Sequence, residues 1–153
     1  MTDIRALGAD ISRHQDTFTF LGNLDFIALR ASVGTTHDSA FQRFLPEAQK
    51  VPVRGAYHYL LSALPWQDQL QTFLAAIQGV DLHFIVLDFE VINNTLGPDF
   101  AQAALGWLDA ASAAVAKPVL LYTNPENWKS GLMPFLGSDE RDRLAAYELW
   151  VAQ

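Results

Sequence analysis

Two periodicities alternate along this chain. Short apolar runs that end in polar residues predict strands, and longer segments with apolar residues at helical spacing predict helices. Residues 6–12 read as a first strand, followed by the polar loop Arg13-His14-Gln15-Asp16. Residues 25–32 read as a second strand and Val33-Gly34-Thr35-Thr36 as the loop after it. A helix capped by Asp38 or Ser39 is expected to run to about Lys50, with Phe41, Phe44, Leu45 and Ala48 on one face. Pro46 should kink or shorten it. Residues 51–61 contain a third strand, in which Tyr57 and Tyr59 share one face and His58 takes the other. Pro65 opens a helix striped by Trp66, Leu70, Phe73, Leu74 and Ile77 and stopped at Gly79.

The fourth strand, residues 83–91, is the densest apolar run and closes on Asp88-Phe89-Glu90. Such a run suits a strand covered on both sides, as in a parallel sheet. Alternation puts Asp88 and Glu90 on one face, with Cα atoms roughly 6.6 Å apart. The plain alternative is a strand end whose acids face water. Pro98 then begins a helix whose stripe, from Phe100 through Trp107 to Val115, breaks at Lys117-Pro118. Residues 119–123 form a fifth strand ending near Tyr122, and Pro125 to about Leu132 a short helix. Ser138 caps another helix, with acids in its first turn. Residues 148–153 begin a sixth strand.

Strand and helix alternate at roughly 30-residue intervals, which argues for parallel strands with right-handed crossovers. The class is α/β, either an open doubly wound sheet or a βα barrel. In both, the carboxyl ends of the strands hold the site. Polar residues gather there: Asp10 and Ser12, Arg30, Tyr57 to Tyr59, Asp88 and Glu90, Tyr122. Arg30 is either a surface charge or a buried partner for a carboxylate. His58 has no second histidine at ligand spacing and reads as a hydrogen-bonded structural residue.

Composition narrows the function. The 153 residues, 50% of them hydrophobic, suit one domain with a sizeable core. There is no cysteine, so neither disulfides nor thiolate metal sites arise. No signal peptide is read at the N-terminus and no membrane span anywhere. The net charge of −7 argues against nucleic acid as a partner. Dinucleotide, P-loop and nucleophile-elbow glycine patterns are absent. What converges is carboxylates and aromatics, the inventory of a glycosidase: acids to protonate the leaving oxygen and stabilise oxocarbenium charge, and rings to stack on sugars. No metal or other cofactor is expected.

Several short segments, in order, carry a specific likeness: Asp10-Ile11-Ser12 with Gln15, Arg30-Ala31-Ser32-Val33-Gly34, Gly55-Ala56-Tyr57-His58-Tyr59, Leu87-Asp88-Phe89-Glu90, Leu121-Tyr122-Thr123 and Leu149-Trp150-Val151-Ala152-Gln153. With these the chain resembles the glycoside hydrolase family 25 lysozymes, the Chalaropsis or Cellosyl type of N-acetylmuramidase, over essentially its whole length. The resemblance implies a modified TIM-like βα barrel of five βα units plus a sixth strand. Residues 1–153 would be one catalytic domain, incomplete at its C-terminus because the last strands of the family's barrel, and a further cleft aspartate, are missing. It also implies hydrolysis of the β-1,4 bond between N-acetylmuramic acid and N-acetylglucosamine in peptidoglycan. By motif position, Glu90 would be the general acid, Asp88 would position the acetamido group or stabilise charge, and Asp10 would be a further acid. Tyr57, Tyr59, Tyr122 and Trp150 would bind sugar. Val33 stands where the family usually has an acid. The alternative is a degenerate barrel that grips wall glycan without cutting it, and a third reading is a different barrel glycosidase. Exposed edges of a shortened barrel would favour oligomerisation. Because anionic walls would repel this chain, wall targeting is expected to belong to another module.

Overall fold

Alternation along the strands builds two unlike faces. In the computed structural model, which describes residues 6–19 and 22–152, Ile27, Leu29 and Ala31 of β2 (Phe26–Val33) enter the main core, while Ala28 joins a second cluster on the opposite face. The same split holds in β4 (Val53–Tyr59), where Ala56 is in the main core and Tyr57 opposite, and in β5 (Phe84–Asp88), where Ile85 and Leu87 oppose Val86. The period of two fixes which side chains meet the helices and which are left for a cleft.

The remaining strands are β1 (Gly8–Ile11), β3 (Thr36–His37), β6 (Val119–Thr123) and β7 (Glu148–Val151). Six of the strands run parallel in the order β1-β2-β4-β5-β6-β7, and β3 pairs antiparallel with the end of β2. The expected loop after the second strand is therefore the turn of a small hairpin, with Gly34 at φ 54°. The sheet curls. Phe26 of β2 and Trp150 of β7 have ring centroids 5.5 Å apart although β4, β5 and β6 lie between them in the sheet. This curled parallel sheet is a half-barrel, open between β1 and β7.

Helices α1 (Phe41–Ala48), α2 (Trp66–Ile77) and α3 (Pro98–Ala114) cover the convex face. Beyond β6 come α4 (Pro125–Asn127), a π-helical turn over Trp128–Leu132, a 3-10 turn and α5 (Ser138–Leu144). Among the described residues, no helix stands between β1 and β2. α3 buries the predicted stripe, with Trp107 and Leu108 fully enclosed. α1 is shorter than expected: it starts at Phe41 and ends at Ala48, just past Pro46, whose missing N–H removes one bond of its last turn. Ser138 is the first helical residue of α5 rather than its cap, and Gly137 precedes it, donating its N–H to Glu140 Oε2 at 2.8 Å.

On the concave face, two glycines make room for rings of the neighbouring strand. A Cβ on Gly8 would lie 1.9 Å from the Phe26 ring, and one on Gly55 would lie 2.3 Å from the Phe84 ring. Each glycine is in register with its aromatic. The fourth strand ends at Asp88 rather than Val91, so Glu90 sits just past it. Extended chain nevertheless continues for one residue: the Phe89 N–H donates to Tyr122 O at 2.9 Å and Phe89 is fully buried in the core. The sixth predicted strand is seen as Glu148–Val151, and its expected end, Gln153, lies outside the described residues, as does the 1–5 segment read as lacking a signal peptide.

Candidate active site

Parallel register turns separate strand ends into one row. Tyr59 pairs with Asp88, Asp88 with Tyr122, and Tyr122 with Trp150, so four strands each deliver one side chain at the same height. All four line a cleft of about 230 Å³ on the concave face, together with Asp10, Tyr57 and Glu90. Every residue expected from the sequence to act on or bind a substrate is thus found in one cavity. Ser12, His14, Gln15, Arg30 and Val86 complete its lining. Of these, Val86 and His14 carried no functional signal in the sequence, because an apolar strand interior and a loop histidine look the same in a core or a surface turn.

The acids differ in setting. Asp10 is exposed on the edge strand β1, Glu90 is half-buried, and Asp88 is 7% exposed. Burial pushes the Asp88 carboxyl well above the usual carboxylate range, the charges of Glu90 and Asp10 push it further, and the Arg30 guanidinium opposes them. Burial and the charge of Asp10 also raise Glu90. Burial lifts the Tyr57 and Tyr59 hydroxyls above their ordinary range and pushes Tyr122 up to about 12, so all three keep their protons. Tyr122 and Trp150 meet edge to face at 5.5 Å, which fixes both rings at the rim.

The raised Asp88 has a thermodynamic consequence. The folded chain holds this proton more tightly than the unfolded chain, whose Asp titrates near pH ~4. Stability therefore falls as pH rises from that value through the folded pKa, and above both the full penalty is present. Asp88→Asn removes the penalty. Thermal melts from acid to neutral pH should show the variant gaining on the native chain as pH rises; a gap that stays constant with pH would contradict this assignment.

Arg30 is the buried partner of a carboxylate. Its Nε donates to Asp38 Oδ2 at 2.6 Å, with the Asp38 side chain fully buried. Asp38, expected as a helix cap, does receive the Ala40 N–H at 2.9 Å, but its other oxygen also takes the Arg13 N–H at 3.2 Å. It therefore joins β2, the β1 loop and the start of α1. Arg30 Nη2 and Asp88 Oδ1 are buried in the cleft with no protein partner among the described residues, one a donor and one an acceptor.

A second polar cluster braces the site from the convex side. Pairing shifts between Arg30 and Ser32, a bulge that lets Arg30 face the cleft and Ser32 reach the far side. There Ser32 Oγ lies 2.8 Å from His58 Nδ1, and His58 Nε2 lies 3.2 Å from Gln69 Oε1. The Gln69 amide nitrogen donates to Leu61 O and Leu64 O, so its oxygen must accept, His58 carries its proton on Nε2, and Ser32 donates to Nδ1. Burial holds His58 down at about 4, neutral at physiological pH, and its ring stacks on Trp107 at 5.5 Å. His58 is structural, as its isolation in the sequence suggested. The bulge that creates the cluster has no residue signature in Arg30-Ala31-Ser32.

Among the described residues, no group of three or more His, Asp or Glu is placed to hold a metal ion, and no helix is long and apolar enough to cross a membrane.

Comparison with known proteins adds the family. No curated protein matches the chain. Among solved structures it is similar to the CTP1L endolysin, at 26% identity and a TM-score of 0.77, over 98% of this chain and 53% of that one. It is also similar to a muramidase from Acremonium alcalophilum, at 24% identity and TM-score 0.76, over 97% of this chain and 77% of that one. A family 25 glycosyl hydrolase from Bacillus anthracis aligns at 18% identity and TM-score 0.78, over 99% and 71% of the two chains. The last two likenesses speak to the fold, and the chain spans about half the length of the CTP1L endolysin. The sequence model of the glycosyl hydrolases family 25 matches residues 9–153, from β1 to the end of the sequence, and the chain belongs to that family.

Proposed function

We propose that this chain is a muramidase, hydrolysing the β-1,4 bond between N-acetylmuramic acid and N-acetylglucosamine in peptidoglycan. One observation carries the reading: Asp88, Tyr59, Tyr122 and Trp150 form a single row across four strands, with Glu90 and Asp10 in the same cleft, in a chain of a glycosyl hydrolase family.

Glu90 is the general acid. It is half-buried, so it reaches substrate, and burial with the charge of Asp10 raises its pKa, the direction that suits a group giving its proton to the leaving glycosidic oxygen. Asp88 lies deeper, and its unpartnered Oδ1 is placed to accept from the acetamido N–H of the sugar, which a carboxyl oxygen can do in either protonation state. Arg30 Nη2, the unpartnered donor of the same cleft, is available to a sugar oxygen. Asp10 supplies negative charge from the edge strand, and that charge helps hold Glu90 in its acid form. Tyr57 and Tyr59 build the wall beside Asp88, and Tyr122 with Trp150 offers ring faces to the glycan.

A second reading is a glycan-binding module without hydrolysis. The aromatic rim favours it, since the Tyr122 and Trp150 rings can hold a glycan without cutting it. Incubation with purified wall suspensions separates the two. The muramidase reading expects the turbidity to fall and reducing ends to appear. Sedimentation of the chain with intact walls, with no reducing ends released, would replace it with the binding reading.

A further inference from the structure

The Glu90 carboxyl, unlike Arg30, Asp38 or His58, makes no hydrogen bond to any described residue. Its direction is therefore set by its backbone, and that backbone lies just past the last residue of β5, where the ladder no longer holds it. The peptide before it is held by Thr123 Oγ1, which donates to Phe89 O at 2.9 Å, and the peptide after it by Asn94. Asn94 Nδ2 donates to Glu90 O at 2.8 Å and to Leu60 O at 2.9 Å, while Asn94 Oδ1 accepts the Ser62 N–H at 2.6 Å. The loop after β5 is thereby stapled to the loop after β4. Two further bonds close the staple: Thr95 N–H to Ser62 Oγ at 2.9 Å, and Tyr59 OH to Ile92 O at 2.6 Å. A tight turn presents the asparagine, with Asn94 N–H on Val91 O at 2.9 Å and Asn93 in the left-handed region at φ 63°.

We infer that Asn94 is the positioning residue for Glu90, its carboxamide fixing the Glu90 carbonyl and through it the direction of the carboxyl in the cleft. The inference rests on the muramidase reading and deepens it. Asparagine suits the task because a single short, rigid amide supplies two donors and an acceptor at once. Its partners, Leu60, Ser62 and Glu90 with a longer bond of 3.4 Å to Ile92 O, are all main-chain groups, which the sequence of neighbouring side chains does not alter. Misplacing a reacting group by about 1 Å costs on the order of 100-fold in rate, and among the described residues Asn94 is the one side chain that holds the Glu90 carbonyl.

The experiment compares kcat and KM of the native chain, Asn94→Ala and Ser62→Ala on solubilised wall glycan, alongside their melting temperatures. Asn94→Ala should lower kcat by roughly 100-fold with KM within about twofold, the pattern of a lost transition-state arrangement rather than lost binding. Ser62→Ala cuts the Thr95 tether but leaves Asn94 on Glu90, and should keep kcat within about twofold even as it lowers the melting temperature. Native kcat per folded molecule in Asn94→Ala, or an equal loss in Ser62→Ala, would overturn the inference while leaving the muramidase reading intact. Should Asn94→Ala fail to fold, Asn94→Asp takes its place: it retains the acceptor for Ser62 but gives up both donors, and the same kcat loss is expected, native kcat overturning the inference. Absence of reducing ends from the native chain would instead remove the muramidase reading, and this inference with it.

Discussion

Glu90→Gln is expected to reduce the release of reducing ends from peptidoglycan by roughly 10²–10⁴-fold, the usual contribution of a positioned general acid, while the fold persists. The amide is nearly isosteric with the acid but has no proton to give the leaving oxygen. Glu90 makes no side-chain hydrogen bond to a described residue that the change would break. Its carboxyl is raised by burial and by Asp10, so removing the charge should leave the melting temperature at neutral pH equal to or slightly above that of the native chain. Undiminished hydrolysis in the folded variant would place the proton donor elsewhere.

Asp38→Ala is expected to be strongly destabilising. The Asp38 side chain is fully buried and Arg30 is nearly so. Removing one partner of a buried pair leaves the other charge uncompensated, at a cost of about 3–5 kcal/mol. For a chain of this size that is a melting-temperature drop of roughly 6–20 °C. Two main-chain donors, Arg13 N–H and Ala40 N–H, lose their acceptor as well. The contrast is Asp81, which also pairs with an arginine, Arg54, but is 73% exposed. Asp81→Ala should cost at most about 1 kcal/mol. Equal melting temperatures for the two variants would show that the Arg30–Asp38 pair does not brace the cleft.

These two residues illustrate what the chain discloses before it is folded. Glu90 was legible because its neighbourhood obeys one rule, the period-two alternation that sends Ile85, Leu87 and Phe89 into the core and leaves Asp88 and Glu90 on the other side. Tyr57, Tyr59 and Tyr122 were legible for the same reason, and repeated strand–helix spacing placed their strand ends together. Trp150, at the open edge, was found through family likeness rather than pattern. The role of Asp38 is not legible locally, because the sequence there shows only an acid before a helix, whereas its partner Arg30 comes from β2 by way of a bulge. The apolar run of the Asp88 stretch predicts strand as far as Val91. The ladder stops at Asp88 because the chain turns over Val91 and Asn94, a turn held by contacts to Leu60 and Ser62 that lie some thirty residues away in sequence. The small strand Thr36–His37 escaped for a similar reason, since a two-residue ladder has no period to detect.

On the muramidase reading, the acids gathered by β1 and β5 break the glycan at muramic acid. That reading is tested most directly by chemical identification of the new chain ends. Purified peptidoglycan is digested with the native chain and with Glu90→Gln, the products are reduced with borohydride, and the reduced sugars are identified. Muramitol is expected as the reduced sugar with the native chain and almost none with Glu90→Gln. Glucosaminitol in place of muramitol, or equal muramitol from both proteins, would contradict that reading.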